Sequence, residues 1–194
     1  MSASDTKIIS DDDILLMSRF QKGDIKAFEE LIHKYEDKIL NTVYRYVGER
    51  NTAEDLAQET FIRVFKARHS FKPTNTFSAW LFSIAVNLCL NYIRDSKKRR
   101  TISLFSGEDD SPISIKDENA KTASDNFKRL ELKIAVRDAL NSLPEKQKMA
   151  VILNRYDEYS YEEIAKIMNL SLTAVKSLLF RARESLKEKL KSKI

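Results

Sequence analysis

The sequence is poor in glycine, proline and cysteine, and it contains no long apolar run. Its 194 residues include three glycines, three prolines and one cysteine. So few glycines leave no glycine-rich phosphate loop and no dinucleotide-binding fingerprint. A single cysteine excludes an internal disulfide and a cysteine-based zinc or iron–sulfur site. Because there is neither a run of 18 apolar residues nor a signal-peptide pattern, we expect a soluble intracellular protein without membrane insertion.

The residues that are abundant favour helices. Hydrophobic residues make up 42% and charged residues 32% of the chain, and no stretch alternates apolar and polar residues with a period of two. Apolar residues recur instead at i, i+3 and i+4, most clearly between Ala27 and Val43. Asp13 and Asp24 are the expected N-caps of the first two helices. We therefore predict an all-α fold with helices over residues 14–22, 25–47, 52–68, 77–100, 126–143, 145–156, 161–168 and 172–191.

Charge is distributed unevenly along the chain, although the formal net charge is only +5. Residues 90–100 and 171–194 are strongly basic, whereas residues 101–126 hold six acidic and two basic residues. This acidic stretch lacks apolar periodicity and is interrupted by Ser, Asp, Gly and Pro, which is typical of a linker. We expect two small helical domains, 1–100 and 126–194, joined by a flexible linker over 101–125. The alternative is a surface loop within one domain, for which this stretch is long.

The segment after Tyr159 has the features of a helix-turn-helix. Ser160 can cap a short helix, and Ala165 is small where two helices must cross. Asn169 lies at the turn, where a positive φ is needed, and Ser171 can cap the second helix. In this motif the second helix enters the major groove of DNA.

The predicted second helix has one basic face. Lys176, Phe180 and Arg183 follow helical spacing, and Ser177 and Arg181 flank them. Arg can donate two parallel hydrogen bonds to guanine, and Ser and Lys commonly hold phosphates. An amphipathic helix with a solvated face, or a partner-binding helix, is the alternative. The candidate DNA contacts here are Ser171, Lys176, Ser177, Phe180, Arg181 and Arg183.

The N-terminal domain carries two further polar faces. Asp55, Gln58 and Glu59 fall at i, i+3 and i+4 and form one polar face of the third helix, and Leu56, Phe61, Ile62 and Phe65 supply its apolar face. On the fourth helix, Asn87, Asn91, Arg94 and Lys98 point outward, and such side chains can recognise base edges and phosphates. Phe71 and Phe77, in or beside a proline-containing loop, offer apolar surfaces to an unstacked base. A hydrophobic core with a solvated face would explain the apolar residues equally well.

Three segments resemble a known family. NTAEDLAQETFIRVFKA (51–67), FSAWLFSIAVNLCLNYIRDSKKRR (77–100) and LPEKQKMAVILNRYDEYSYEEIAKIMNLSLTAVKSLLFRARESL (143–186) are together similar to a bacterial RNA polymerase sigma factor. Their size and order resemble the extracytoplasmic-function group, which keeps only sigma regions two and four.

The resemblance implies a role for each motif. The DLAQE segment matches the region that docks on the largest catalytic subunit of polymerase, which assigns Asp55, Gln58 and Glu59 to polymerase binding. IAVN matches the segment that captures a flipped base of the minus-ten element, and Asn87 is the candidate for that contact. In the family pattern, Asn91 and the loop from Phe71 to Phe77 lie close by. The basic face of the last helix matches positions that contact the minus-thirty-five element. Leu178 departs from the basic residue that some relatives place there.

The sequence therefore predicts a sigma factor that binds core RNA polymerase and promoter DNA, works in the cytoplasm, and has no catalytic, metal or cofactor site. Since small relatives are often silenced by an anti-sigma factor, such a protein is a further candidate partner. The linker is expected to be compact in the free chain and stretched on polymerase. Two other classes remain open: a stand-alone helix-turn-helix repressor or activator, and a small carboxylate-dependent nuclease.

Overall fold

The computed structural model describes residues 3–73, 76–106 and 123–191, and the side chains of residues 12–73, 76–97 and 130–191. Throughout these ranges the regular structure is helical, which confirms the all-α prediction. A 3-10 turn at Arg68–Ser70 lies between the third and fourth helices. The helices are α1 (Ala3–Gln21), α2 (Ile25–Val47), α3 (Arg50–Lys66), α4 (Phe77–Ser106), α5 (Ala123–Asn141), α6 (Glu145–Arg155), α7 (Tyr161–Met168) and α8 (Leu172–Leu190).

Helices α1 to α4 form the N-terminal domain around a shared apolar core. Asp24 caps α2 as expected, because its carboxylate accepts hydrogen bonds from the backbone N–H groups of Lys26 and Ala27. The helix ends at Gly48, whose φ of 84° lies in the left-handed region that a side chain would strain. Between these ends, the apolar stripe of α2 is buried against its neighbours.

Helices α5 to α8 form the C-terminal domain, and α7 and α8 are the predicted helix-turn-helix. Ser160 and Glu163 form a capping box at the start of α7, which satisfies two backbone donors. Asn169 ends the helix with a φ of 51°, and Ser171 accepts a hydrogen bond from the N–H of Ala174. These local signals therefore confirm the predicted motif.

Several boundaries differ from the sequence prediction. Helix α1 starts at Ala3, so Asp13 lies inside it and is not its cap. The buried carboxylate of Asp13 instead accepts hydrogen bonds from the Tyr35 hydroxyl and the Lys34 ammonium. Helix α3 begins at Arg50 and is capped by Glu49 rather than by Asn51 or Thr52. Helices α4 and α5 extend into both ends of the predicted linker, of which residues 107–122 lie outside the described chain.

The two domains pack directly against each other. Helix α4 lies against α7 and α6, and α2 lies against α6. Buried residues of both domains belong to one continuous apolar cluster. The polar faces described below are therefore presented by one closed body. No described helix has the length and hydropathy to cross a membrane.

Candidate polymerase and nucleic-acid interfaces

The polar face of α3 is presented to solvent. Asp55 and Gln58 are exposed, and Glu59 is half-buried. Glu59 accepts a hydrogen bond from the Arg63 guanidinium one turn later, at 2.7 Å. On the opposite side of α3, Ala53, Ala57, Thr60 and Val64 are buried. Helix α3 therefore holds two acidic groups and one amide together on a rigid surface.

An apolar groove adjoins this face. Phe28 and Ile32 of α2 and Phe61, Ile62 and Phe65 of α3 line it. The side chains of Ile62 and Phe65 are 46% and 39% exposed, so part of the predicted apolar face of α3 is open to solvent. Their spacing could have indicated this, because positions 58, 62 and 65 lie on one side of a helix.

The outward face of α4 is polar and basic. Asn87, Asn91 and Arg94 are exposed, while Ala85, Val86 and Cys89 on the same helix are buried. Arg94 lies 3.4 Å from the carboxylate of Asp95. The side chain of Lys98 lies outside the described part of the chain. Helix α4 thus places two amides and a guanidinium on one accessible side.

The rings of Phe71 and Phe77 are buried, contrary to the expectation that they offer a surface to a base. Phe71 is 6% and Phe77 1% exposed. The two rings meet edge to face, and both contact the half-buried Trp80. Burial of these large apolar rings stabilises the start of α4. This stabilisation explains why the rings turn inward rather than toward DNA.

The recognition helix α8 separates its apolar and basic sides. Val175, Leu179 and Ala182 are buried against α6 and α7. The opposite side is exposed, and Phe180 has 65% of its side chain in solvent. A ring so exposed contributes little to the core. The exposed candidates on and before α8 are Ser171, Lys176, Ser177, Phe180, Arg181 and Arg183.

Tyr161 is a residue of this surface that the sequence analysis missed. Its hydroxyl, at the start of α7, accepts a hydrogen bond from the Arg183 guanidinium at 2.6 Å. The contact fixes Arg183 toward the side of α8 that carries Lys176 and Phe180. Because the two residues are 22 positions apart, no local pattern could have indicated the pair.

Cys89 is buried in α4, as its apolar neighbours predicted. Burial raises the pKa of its thiol to about 12, so the thiolate is scarce at neutral pH. In the described chain, no group of three or more His, Cys, Asp and Glu residues is placed to hold a metal ion.

A helix-turn-helix with an exposed basic helix, joined to a second helical domain with polar faces, is the architecture of a DNA-binding transcription protein. The Sigma-70 region 2 model matches residues 31–99, and the Sigma-70 region 4 model matches residues 133–186. The sigma-E factor of Haemophilus influenzae is 35% identical to this chain over 92% of the chain and 95% of that protein. The sigma-E factor of Escherichia coli K12 is 37% identical over 91% and 93%, respectively.

Two solved structures share the fold. The sigma factor RpoE of Bartonella quintana, in complex with the anti-sigma factor NepR, has a TM-score of 0.66 at 26% identity, covering 86% of this chain and 98% of that one. CnrH, in complex with the cytosolic domain of CnrY, has a TM-score of 0.69 at 23% identity, with coverages of 93% and 98%. The chain belongs to the extracytoplasmic-function sigma factors of the sigma-70 family. It is a factor for transcription initiation, and its family is non-enzymatic.

Proposed function

We propose that this sigma factor docks on core RNA polymerase through α3. The docking face consists of Asp55, Gln58 and Glu59, together with the adjoining apolar groove that exposes Ile62 and Phe65. Acidic groups around an apolar centre suit a basic helical partner, since charges at the rim guide association and buried apolar groups supply affinity. The observation that carries the proposal is that Asp55 and Gln58 are exposed beside an apolar groove in which Ile62 and Phe65 are also exposed.

Co-elution with bacterial core RNA polymerase tests the docking face. Replacing Asp55, Gln58 and Glu59 with alanine should weaken binding at least tenfold, because docking loses two charges and an amide. The matched control replaces Glu29, Asp37 and Asn41, which are also two acids and an amide exposed on a helix, and should bind normally. Equal loss in both variants would assign the effect to net charge and refute the docking face.

Helix α4 is proposed to capture bases of the melted minus-ten element. Asn87 is the candidate for a flipped base, Asn91 for a neighbouring base, and Arg94 and Lys98 for the phosphate backbone. Replacing Asn87 with alanine should impair strand opening but leave polymerase binding intact. Permanganate footprinting separates these steps, and normal melting by the variant would contradict the assignment.

Helix α8 is proposed to recognise the minus-thirty-five duplex in the major groove. Lys176 and Ser177 hold phosphates, Arg181 and Arg183 donate to phosphates or base edges, and Phe180 contacts a thymine methyl. Tyr161 adds a hydroxyl that keeps Arg183 oriented. Arg181→Ala should weaken binding to the upstream element without affecting strand opening on a pre-melted promoter, which gel-shift assays on both templates measure.

A groove between the domains favours a protein regulator as a further partner. It is lined by apolar and aromatic groups of α2, α5 and the end of α6, and three basic side chains border it. This combination suits an acidic amphipathic helix, such as an anti-sigma factor could present. The lining includes Tyr44, Leu132, Val136, Leu140 and Tyr156, and the basic border is Arg45, Lys133 and Arg137.

The protein is proposed to act in the cytoplasm, where polymerase and promoters are, and to carry out no chemical step itself. A stand-alone regulator would bind the upstream duplex without polymerase. Failure of the intact, folded chain to bind core polymerase, with retained duplex binding, would support that alternative.

A further inference from the structure

The domains meet through specific hydrogen bonds as well as apolar packing. Lys148 of α6 is 9% exposed, and its ammonium donates to the backbone carbonyl of Tyr46 and to Asn141 Oδ1, both at 2.6 Å. Tyr46 lies in the last turn of α2, where carbonyls lack partners within the helix and the helix dipole is negative. A lysine of the C-terminal domain therefore caps a helix of the N-terminal domain.

Asp157 makes a second polar contact across the same interface. It lies between α6 and α7, and both of its carboxylate oxygens are 2.9 Å from Thr42 Oγ1 of α2. The same hydroxyl lies 2.8 Å from the carbonyl of Lys38. A hydroxyl has one proton to donate. An ionised Asp157 carboxylate therefore competes with the Lys38 carbonyl for the Thr42 proton. A neutral donor at position 157 would donate to Thr42 and leave the Thr42 proton for Lys38.

Aromatic contacts complete the interface around these bonds. The rings of Phe82 and Tyr159 meet edge to face at 5.0 Å, and the guanidinium of Arg45 lies 4.7 Å from the centre of the Tyr156 ring. Both contacts join the N-terminal domain to the segment around Asp157. Together they add to the apolar packing that holds the domains closed.

The closed arrangement is incompatible with simultaneous binding of both promoter elements. Helix α4 packs on α7 of the helix-turn-helix, and packed helices have axes about 8–10 Å apart. Promoter elements two helical turns apart on one duplex are separated by about 70 Å. The domains must therefore separate before α4 and α8 engage their elements together.

We propose that Lys148 and Asp157 form a polar latch that holds the free chain closed and that binding to core RNA polymerase opens it. On α2, the Tyr46 carbonyl accepts from Lys148 and the Thr42 hydroxyl donates to Asp157. Burial lowers the pKa of Lys148 to about 8 and raises that of Asp157 to about 6. Both charges thus lose solvation on closing. This desolvation offsets much of the favourable energy of the hydrogen bonds, so the latch fixes the geometry of the interface but opens at a small cost in free energy. The role of opening in transcription rests on the proposed function, whereas the latch is a property of the free chain.

Two conservative variants should move the latch in opposite directions. Thr42→Val removes the donor to Asp157 and should increase the open fraction about three- to tenfold. Asp157→Asn removes the buried charge and supplies a donor to Thr42, so it should decrease the open fraction about threefold or more. Thr60→Val is the matched control, because Thr60 is equally buried but donates to a carbonyl within α3.

The single cysteine provides a readout in the free chain. Cys89 is buried on α4, the helix that packs against α6 and α7 of the other domain, so we expect its modification rate under native conditions to follow the open fraction. Small-angle scattering gives a second readout, with a radius of gyration of about 16 Å expected for the compact chain and a larger value for Thr42→Val. Urea unfolding of each variant separates domain opening from global destabilisation.

The latch is refuted if Thr42→Val and Asp157→Asn change the modification rate in the same direction, or if Thr60→Val matches Thr42→Val. With core polymerase added, Thr42→Val should need less polymerase for half-saturation than the wild type, and Asp157→Asn more. Equal polymerase affinities for the three proteins would overturn the coupling to polymerase and leave the proposed function standing. Absence of any polymerase binding would instead refute the proposed function, while the free-chain measurements still decide the latch.

Discussion

The closed state should become more stable as the pH falls from 7 to 5, because Asp157 lies at the interface between the domains. Burial raises the pKa of this carboxyl to about 6, against opposing effects of the Thr42 hydrogen bond and of the Arg45 and Lys38 charges on α2. In the open state the carboxyl regains solvent and its ordinary pKa. A raised pKa in the closed state means a stabilisation that is complete below the ordinary value and is lost as the pH rises through about 6.

The size of the effect follows from the two pKa values. With a pKa of about 6 in the closed state and 3.8 in the open state, the closing constant rises by at most about ninefold between pH 7 and pH 5. Solvent reaches part of the Asp157 side chain and screens the effect, so we expect about three- to ninefold. Lys148 changes little over this range, because its pKa of about 8 keeps the amine mostly protonated.

Modification of Cys89 at each pH measures the open fraction, with the rate in the urea-unfolded chain as the reference for thiol reactivity. The wild-type protein should be protected more strongly at pH 5 than at pH 7. Asp157→Asn has no carboxyl to titrate at this position, so its protection should stay nearly constant. Identical pH profiles for the two proteins would show that another group controls closure and would refute the reasoning.

Three further changes test local features. Ser160→Ala removes one half of the capping box and should lower the free energy of unfolding by about 1 kcal/mol, measured by urea denaturation; no change would contradict the role of the cap. Phe180→Ala should leave the urea midpoint unchanged, because the ring is exposed, but weaken binding to the upstream duplex severalfold in a gel shift. Asp13→Ala leaves the buried Tyr35 hydroxyl without its acceptor and should cost about 1–3 kcal/mol in the same unfolding assay, whereas a neutral result would show that the bond is dispensable.

The local features of the fold could be predicted from the sequence because short-range physics determines them. A carboxylate at Asp24 caps a helix, and Gly48 ends it with a positive φ. The capping box at Ser160 and the left-handed turn at Asn169 are determined by residues within four positions of each other. The same holds for the polar faces, since helical spacing alone places Asp55, Gln58 and Glu59 on one side.

Features that depend on distant contacts could not be predicted in this way. Phe71 and Phe77 are apolar residues near a loop, and only the packing of Trp80 against them shows that they turn inward. Ile62 and Phe65 are apolar residues on a helix, yet they remain partly exposed because none of the helices in the described part of the chain covers the groove. In both cases the burial of the side chain depends on which helix packs against it, and the local sequence does not determine that.

The packing of the two domains was also beyond the sequence analysis. The acidic, aperiodic segment predicts where two domains are joined, but it carries no information on how their surfaces fit. Lys148 and Asp157 are charged residues that ordinarily lie in solvent. Their burial becomes understandable only when the Tyr46 carbonyl and the Thr42 hydroxyl of the other domain are placed opposite them.

The closed state limits the distance between the two DNA-binding helices, α4 and α8. It leaves the exposed faces of α3 and α8 accessible. Asp55 and Gln58 on α3 and Phe180 and Arg181 on α8 are all exposed while α4 and α7 are in contact. Polymerase can therefore make its first contact with the closed chain, and a single promoter element can bind it. Simultaneous binding of both elements requires the domains to separate, and polymerase is the partner proposed to open the latch. The free energy of opening is then subtracted from the affinity for polymerase, so a weaker latch should lower the polymerase concentration needed for half-saturation.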